Sequence, residues 1–266
     1  GIRIVTVKIS VITVVRNNVD TIADTLHSVA DQTHPDVEHV VVDGASTDGT
    51  LDIVRREDGK VARVLSEPDQ GIYDAMNKGI ALATGEVVGF LNADDVYADD
   101  TVLAQVAETM NDPSVDACYA DLVYVGKHDT NRVIRYWKSR PYAEGLFEKG
   151  WMPAHPTFFA RRAVYQTFGG FDTSFRIVSD FELTLRFLRV HRIRSVHVSR
   201  LWVRMRMGGV SNRGVINIIK GNLEARRACK KHALVVARAF ILMKILSRVP
   251  QFFVRPSGKP QTRASS

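Results

Sequence analysis

In the first part of the chain, continuous apolar runs of strand length alternate with stretches whose apolar residues recur at helical spacing. Continuous apolar runs are typical of parallel strands buried on both faces, and helical spacing is typical of helices that cover such a sheet. The pattern therefore predicts an α/β fold with a mostly parallel, doubly wound sheet. Over the whole chain, the predicted strands are residues 8–15, 38–43, 61–66, 87–91, 116–125 and 132–138, and the predicted helices are residues 21–30, a helix ending at 56, and residues 72–83, 101–110 and 181–190.

A polar residue follows each of the first four strands: Asn17, Asp43, Asp69 and Asp94. Open α/β sheets bind ligands at the carboxyl ends of their strands, so these four side chains are expected to face one cleft. Asp94 has a second carboxylate, Asp95, beside it, and adjacent carboxylates repel each other unless a cation neutralises them. Hard oxygen ligands beside an anionic substrate favour Mg²⁺ or Mn²⁺, so the pair predicts a divalent metal that holds a phosphate. The alternative is a helix-capping role.

Three enzyme classes do not fit this pattern. The loop after the first strand lacks the GxGxxG pattern of dinucleotide sites, so a nicotinamide or flavin enzyme is not expected. The same loop lacks the glycine-rich stretch with a basic residue that a sugar-phosphate nucleotidyltransferase would need. Glycoside hydrolases also pair carboxylates, but they need neither a nucleotide pocket nor a metal. A nucleotide-diphosphate site remains the best interpretation of the four loops.

Three more candidate residues lie in the second half of the chain. His155 lies in a rigid loop and either touches an acceptor or diphosphate or is hydrogen-bonded beneath the loop. Asp172 follows a glycine turn and is a candidate acceptor contact. Asp180 opens the last predicted helix, where a carboxylate commonly stabilises the helix start. From the residues alone, that structural role is the expected one for Asp180.

Seven short stretches resemble, in order, the family 2 glycosyltransferases of the GT-A fold, which are inverting enzymes that use nucleotide-activated sugars. The resemblance spans roughly residues 8–212, and it rests on the order and spacing of all seven stretches. The stretches are SVITVVRNN, VVVDGASTDGT, EPDQGIYDAMNKG, FLNADD, HPTFF, GGFD and SDFEL.

The resemblance implies roles for residues of the nucleotide-sugar half. Asp43 matches the aspartate that recognises the nucleotide base, usually uracil, and Asp69 and Asn77 fall in the segment that completes the nucleoside pocket. Asn92-Ala93-Asp94 matches the DxD motif that binds the metal, Mn²⁺ or Mg²⁺, and the donor diphosphate. Because asparagine replaces the first aspartate of that motif, Asp94 or Asp95 is expected to carry most of the metal contact.

Asp180 matches the catalytic base of the family, here preceded by serine where the family more often has glutamate. In an inverting transfer, the acceptor hydroxyl attacks the anomeric carbon opposite the leaving nucleotide diphosphate. A carboxylate is too weak a base to deprotonate a free sugar hydroxyl, but it accepts the proton as the new bond forms. The resemblance therefore assigns Asp180 the role of base.

Residues 208–212 resemble a mobile loop that closes over the donor in related enzymes. Arg204 and Arg206 flank this loop and are candidate diphosphate contacts or, alternatively, surface charges. The first loop departs from the family, because Val14-Val15-Arg16 replaces the usual Pro-Thr-aromatic sequence. The QxxRW motif of processive polysaccharide synthases is absent, which favours addition of one sugar per encounter.

Charge divides the chain into two parts. The net charge is +7 over 266 residues, but residues 204–266 contain 14 Lys or Arg and a single acidic residue, Glu224. The rest of the chain is therefore mildly acidic, and the basic tail suggests an anionic surface as its partner. The two cysteines are far apart and have no CxxC partner, which fits a reducing compartment and excludes a cysteine-based zinc site.

Residues 215–254 are predicted to form a helix with its basic residues on one face and its apolar residues on the other. Such a helix is expected to lie in the headgroup plane of an anionic membrane, because its charges recur too often for a spanning segment. The alternative is a helix that packs on the catalytic domain or on another subunit. Nucleic acid is not an expected partner, because no aromatic residues are interleaved with the charges.

Together these observations predict a GT-A domain over residues 1–213, with a nucleotide-sugar half (1–115) and an acceptor half (116–213), followed by a basic amphipathic helix and tail over 214–266. The predicted function is metal-dependent, inverting transfer of one sugar from a nucleotide-sugar donor, with UDP favoured, to a lipid-linked saccharide or glycolipid acceptor. The protein is expected to be peripheral, at the cytoplasmic face of the inner membrane, and a homo-oligomeric state stays open. The alternative, motivated by Asn92 and the altered first loop, is a catalytically impaired sugar-nucleotide-binding or scaffolding subunit.

Overall fold

A computed structural model of the chain describes residues 6–57, 59–207, 215–236 and 251. Within these residues the strands are β1 Ile9–Val15, β2 Val37–Asp43, β3 Arg63–Ser66, β4 Val87–Phe90, β5 Val96–Tyr97, β6 Ala117–Val125, β7 Val133–Trp137, β8 Phe159–Arg161 and β9 Ser195–Arg206. The helices are α1 Ile22–Ala30, α2 Thr50–Arg56, α3 Ile72–Leu82, α4 Val102–Met110, α5 Arg162–Phe168, α6 Ser179–Leu185 and α7 Val215–Lys231. A π-helical turn, Arg186–Val190, extends α6.

One sheet contains all of these strands, in the order β3-β2-β1-β4-β8-β6-β9-β5, with β7 paired to β6. The first four strands of this order are parallel, as the apolar runs predict, and β6 is also parallel to β9. β8 runs antiparallel between β4 and β6 and so joins the two halves of the chain. The predicted hairpin is present as the antiparallel pair β6 and β7.

The register of the parallel strands brings the predicted polar residues to one edge of the sheet. β1 is buried along its whole length, and it pairs Val15 with Asp43 of β2 and Ile12 with Phe90 of β4. The Leu91 amide donates to the Ile12 carbonyl at 3.0 Å, so the chain stays hydrogen-bonded to β1 for one residue beyond the end of β4. The loops after β1, β2 and β4 therefore open on a common cleft.

A turn closed by Asp99 precedes the helix that follows β5. The Asp99 carboxylate accepts hydrogen bonds from the amide and the hydroxyl of Thr101, at 2.9 and 2.6 Å, just before α4 begins. Thr101 is the N-cap residue of α4, and no side chain caps the helix there. Asp94 and Asp95 thus do not cap α4.

β9 and β5 are elements that the sequence analysis did not predict. β9 pairs with β6 along its length and, through Val203 and Arg204, with the two-residue strand β5. Arg204 and Arg206 lie at the end of this strand, directly before the loop that was predicted over residues 208–212. The loop itself, residues 208–212, lies outside the described residues.

α7 ends at Lys231, so the predicted uninterrupted helix over 215–254 is wrong in this part. Ala233 adopts a left-handed conformation (φ 57°), the Leu234 amide donates to the Cys229 carbonyl at 2.9 Å, and the Ala233 amide donates to the Lys230 carbonyl at 3.1 Å. This pair of bonds is a Schellman motif, which terminates a helix. The rest of the predicted helix, residues 237–250 and 252–254, lies outside the described residues.

The buried face of α7 packs on the acceptor half of the domain. Ala225, Ala228 and Cys229 are fully buried in the main core cluster, together with Phe175 and Phe181. The described part of the tail helix therefore packs on the catalytic domain, as in the alternative to a helix that lies in the membrane headgroup plane. Among the described helices, none is both long enough and apolar enough to cross a membrane.

Candidate active site

The first two loops of the cleft are joined by hydrogen bonds around Asn17. Its amide donates to the Ser46 hydroxyl, and its side-chain oxygen accepts from the Thr47 amide, both at 2.8 Å. Asp43, at the end of β2, is fully buried and accepts from the Ser46 amide and from the Ser66 hydroxyl at 2.7 Å. These contacts fix the Asp43 carboxylate at the carboxyl end of β2, where it has no exposed surface.

Asp69 lies next to Gly44, the residue that follows Asp43. A Cβ atom at Gly44 would collide with the Asp69 carboxylate, so a side chain at position 44 would require the Asp69 side chain to move. One Asp69 oxygen also accepts from the Gly71 amide at 2.9 Å, which orients the side chain before α3. The structure therefore places the Asp69 side chain beside Gly44, the residue that follows Asp43.

Asn77 has a different role from the predicted one. Its side-chain oxygen accepts from the Phe171 amide at 2.8 Å, and its side-chain nitrogen donates to the Phe171 carbonyl at 2.9 Å. Both ends of the amide are thus engaged with the glycine turn of the acceptor half. The geometry gives Asn77 a structural role that fixes α3 to this turn, and it does not support the predicted nucleotide contact.

The carboxylate pair after β4 is sheltered from solvent. Asp95 is fully buried, and its oxygens accept from the Asn92 side chain at 3.3 Å and from the Arg206 amide at 3.2 Å. Burial raises the pKa of Asp95 well above its ordinary value, and the negative charge of Asp94 raises it further. Burial also raises the pKa of Asp94, which is half-buried, and the Arg206 charge opposes this rise. Asp94 is therefore the more accessible carboxylate, with Asp95 behind it.

The residues of this loop fit a divalent cation. The Asn92 side-chain oxygen is buried and has no hydrogen-bond partner among the described residues, so it is a third hard oxygen beside the two carboxylates. Within the described ranges, no group of three or more His, Cys, Asp or Glu side chains forms a metal site. Mg²⁺-type sites commonly use one or two carboxylates and complete their shell with substrate phosphates and water. The loop can hold such a cation only together with a phosphate ligand.

Arg206 supports this loop from below. Its buried guanidinium is 2.6 Å from the Asp24 carboxylate of α1 and donates to the Asp94 carbonyl at 3.0 Å. Arg204 donates instead to the Thr130 carbonyl, in the turn between β6 and β7, at 3.1 Å. Neither guanidinium is directed by these contacts toward a diphosphate, so the structure gives that prediction no support. Arg206 is a structural residue whose role the sequence did not reveal.

Asp180 is the second residue of α6, and Tyr73 of α3 approaches it from the donor half. One Asp180 oxygen accepts from the Phe181 amide at 2.8 Å, and the Tyr73 hydroxyl lies 3.4 Å from the same oxygen. The Tyr73 hydroxyl also donates to the Ile177 carbonyl at 2.8 Å. Burial and the Asp180 charge raise the pKa of Tyr73 well above its ordinary value, so the phenol stays protonated and donates.

His155 lies beside the end of β4 and near enough to Asp180 to be affected by its charge. Its ring packs on Phe90 and Phe171, with centroid distances of 5.5 Å in both cases, and neither ring nitrogen has a hydrogen-bond partner among the described residues. Burial lowers the pKa of His155, and the Asp180 charge opposes this shift, so the neutral imidazole is favoured. The alternative of a histidine hydrogen-bonded beneath the loop is not what the described contacts show.

Asp172 is turned toward α7. Its carboxylate is 2.6 Å from the Lys231 ammonium and accepts from the Ser174 amide at 2.9 Å. Burial raises its pKa, but the hydrogen bonds from Lys231 and Ser174 outweigh this and bring it to about 2. The carboxylate is thus engaged in an ion pair, which does not support the predicted acceptor contact.

Tyr73 is the site residue that the sequence analysis missed. It lies inside the stretch EPDQGIYDAMNKG, and its position on α3, near Asp69 and Asn77 in the chain, was the available signal. Its contact with Asp180 joins residues 107 positions apart. Helical spacing alone marks it only as a buried aromatic residue.

The sequence profile described as "Glycosyl transferase family 2" matches residues 10–179 of the chain. A curated relative, the "PGL/p-HBAD biosynthesis glycosyltransferase" of Mycobacterium tuberculosis (strain ATCC 25177 / H37Ra), is 36% identical over 166 residues. The alignment covers 60% of this chain and 62% of the relative, so this chain spans less than two thirds of the relative's length.

Two solved structures share the fold. The mannosyltransferase PcManGT from Pyrobaculum calidifontis, in complex with GDP-Man and Mn²⁺, superposes with a TM-score of 0.63 at 23% identity and covers 91% of this chain and 69% of that chain. S. aureus TarS 1–349 in complex with UDP superposes with a TM-score of 0.61 at 20% identity, covering 91% and 66%. These similarities confirm the predicted GT-A fold.

Proposed function

The chain belongs to glycosyltransferase family 2, and from this membership we propose that it is a metal-dependent, inverting glycosyltransferase that uses a nucleotide-diphosphate sugar, with a UDP-sugar favoured. One observation supports the proposal: the end of β4, which leads into the Asp94 loop, and Asp180 are far apart in sequence but both lie near His155. Phe90 ends β4 just before the Asp94 loop and packs on His155, whose environment includes the Asp180 charge. The donor loops and the proposed base are therefore neighbours.

On the donor side, Asp43 and Asp69 would bind the nucleoside and Asp94 the diphosphate through a cation. A divalent cation held by Asp94, with oxygens of Asn92 or Asp95, would supply Lewis-acid stabilisation of the charge on the departing diphosphate. The complexes of the two structural neighbours, one with UDP and one with GDP-Man and Mn²⁺, support a sugar-nucleotide donor and a divalent ion without identifying either for this chain.

On the acceptor side, Asp180 would accept the proton of the attacking hydroxyl. Its first carboxylate oxygen is bound by the Phe181 amide, and its second has no hydrogen bond from the described residues. The second oxygen therefore takes the proton as the bond to the anomeric carbon forms, and the bond to the diphosphate breaks on the opposite face. The neutral His155 ring, near Asp180, has one N–H group that could donate a hydrogen bond to a bound substrate.

The nucleotide is tested by thermal stability of the purified protein with UDP, GDP, CDP or dTDP, each with and without Mn²⁺. One nucleotide, UDP in the favoured case, is expected to raise the unfolding temperature, and to do so strongly only with Mn²⁺. A ligand at 100 times its dissociation constant stabilises the folded state by about 2.7 kcal/mol, which is a clear shift. If no nucleotide changes the stability, the donor site is lost and the binding proposal is wrong.

We also propose that the acceptor is lipid-linked and that α7 rests on an anionic membrane surface, which for this chain would be the cytoplasmic face of the inner membrane. Ile219 and Leu223 are 55% and 58% exposed on the face of α7 opposite the core. Arg226 lies one turn after Leu223, and Lys230 lies one turn further along the same face. Aliphatic side chains flanked by cations are typical of helices that lie in the headgroup plane. The described part of the tail offers this surface although its other face is packed.

Vesicle co-sedimentation tests this surface. The wild-type protein is expected to bind vesicles containing about 30% anionic lipid and not neutral vesicles, because each basic residue near the surface contributes about 1 kcal/mol. The double change Arg226→Glu and Lys230→Glu is expected to weaken binding by at least about tenfold, and Ile219→Ser with Leu223→Ser to weaken it as well. Val190→Ser, at another exposed aliphatic residue, serves as the control. Equal binding by all variants would exclude α7 as the contact.

A further inference from the structure

The single acidic residue of the basic tail binds the backbone just before the proposed catalytic base. Glu224 of α7 accepts hydrogen bonds from three consecutive amides, those of Arg176, Ile177 and Val178, at 3.2, 2.9 and 3.3 Å. These residues are the last ones before α6, whose second residue is Asp180. One side chain, 46 to 48 positions later in the chain, thus fixes the start of that helix.

This contact replaces a local helix cap. Val178 is the residue that precedes α6, and no side chain of the local sequence caps the helix there. The first amides of a helix lack intrahelical partners, and a negative charge near them is favourable because it complements the helix dipole. The Glu224 carboxylate supplies that charge and binds the preceding amides from a different element.

The peptide units of Ile177 are held from two sides. The Ile177 amide donates to Glu224, and the Ile177 carbonyl accepts from the Tyr73 hydroxyl, which lies 3.4 Å from an Asp180 oxygen. The segment before Asp180 is therefore clamped between α3 of the donor half and α7. Loss of either contact would hold the backbone next to Asp180 less firmly.

Other contacts of α7 and of the residue after it also hold the acceptor half, including the first turn of α6, but none of them binds the amides of residues 176–178. Arg227 donates to the Ser174 carbonyl at 2.6 Å, and the His232 ring is 2.7 Å from the buried Glu182 carboxylate of α6. Lys231 pairs with Asp172, and Ala225 and Ala228 pack in the core beneath. The helix therefore stays docked without Glu224, so a change at Glu224 acts mainly on the three amides.

We propose that Glu224 is a positioning residue for Asp180, one that sets the orientation of the base through the backbone of residues 176–178. The inference rests on the proposed function, because it assumes that Asp180 accepts the acceptor proton. Glu224 contacts no residue of the donor loops among the described contacts, so its effect should be confined to the chemical step. A small displacement of a catalytic group, about 1 Å, can cost about 100-fold in rate.

The test compares wild type, Glu224→Ala, Glu224→Gln and the control Glu108→Ala, which changes an exposed glutamate of α4. Glu224→Ala is expected to lower kcat by about 10- to 100-fold while KM for the donor and the nucleotide-induced rise in unfolding temperature stay within about twofold of wild type. Glu224→Gln keeps one acceptor oxygen, so its kcat should lie between those of wild type and Glu224→Ala. Amide hydrogen exchange at residues 176–178 should accelerate in Glu224→Ala and not in Glu108→Ala.

Three results would overturn the inference: an unchanged kcat in Glu224→Ala, losses of kcat and donor affinity in equal proportion, or unchanged exchange at residues 176–178. A nucleotide-induced rise in unfolding temperature that is kept in Glu224→Ala shows that the donor half of this variant is folded. Glu224→Gln, which has nearly the same shape as the wild-type side chain, tests the same contact with less risk of disturbing the packing. A wild-type protein that transfers no sugar would overturn the proposed function itself and this inference with it. An active wild type with an equally active Glu224→Ala overturns the inference alone.

Discussion

Replacing Asp180 with asparagine is expected to lower the rate of sugar transfer by roughly 10²- to 10⁴-fold, the usual contribution of a general base. The asparagine side chain has nearly the same shape, and its oxygen can still accept the Phe181 amide that Asp180 binds at 2.8 Å. Its nitrogen cannot accept a proton from the acceptor. The start of α6 should therefore keep its structure, but no carboxylate remains to accept the proton of the acceptor hydroxyl.

The rate is measured as release of nucleoside diphosphate at saturating donor, with nucleotide binding followed in parallel by thermal stability. Asp52→Asn, at an exposed helical aspartate of α2, is the matched control and should behave as wild type. A loss of nucleotide binding in Asp180→Asn would mean that the residue supports the donor site. Wild-type rates in Asp180→Asn would remove Asp180 from the mechanism.

Asp94→Ala is expected to abolish the Mn²⁺-dependent part of nucleotide binding, which at saturation amounts to about 2.7 kcal/mol or more of stabilisation. Asp94 is the accessible carboxylate of its loop, whereas Asp95 is fully buried and bound to Asn92 and the Arg206 amide. The variant should therefore fail to bind the cation, while Asp95 keeps the structure of the loop. Asp100→Ala, at an exposed aspartate beyond β5, is the control.

The same measurement has an expected pH dependence. Burial raises the pKa of Asp94, so a larger fraction of this carboxyl is protonated in mildly acidic solution than for an exposed aspartate. A protonated carboxyl does not bind a cation, so the Mn²⁺-dependent stabilisation should grow between about pH 5 and about pH 7.5. Mn²⁺-dependent stabilisation that is equally large in Asp94→Ala would contradict the assignment.

The sequence predicted those parts of the fold in which local pattern and tertiary structure agree. The apolar runs of β1, β2 and β4 identify buried parallel strands, and the position of Asp43 at the end of one of them follows directly. β9 escaped prediction because arginines and histidine interrupt its apolar residues, and its pairing with β6 depends on the rest of the sheet. The end of α7 was not predicted because an alanine, Ala233, rather than a glycine, adopts the left-handed conformation there.

Contacts between distant residues limited the prediction of the site. Asn77 has the right position in its motif, but its amide binds Phe171, 94 positions away. Arg206 and Asp172 carry charges suited to a ligand, yet each is bound to a partner within the protein, Asp24 and Lys231. Whether a polar side chain faces a ligand or a neighbour depends on packing, which the sequence pattern does not contain.

One measurement tests the central claim most directly: release of nucleoside diphosphate from a panel of nucleotide sugars by the wild-type protein with Mn²⁺, first without acceptor and then with a lipid-linked saccharide. We predict slow release from one donor, faster release when the acceptor is added, and little release by Asp180→Asn under the same conditions. A wild-type protein that binds a nucleotide but releases none from any donor would contradict the account and would favour a sugar-nucleotide-binding or scaffolding subunit.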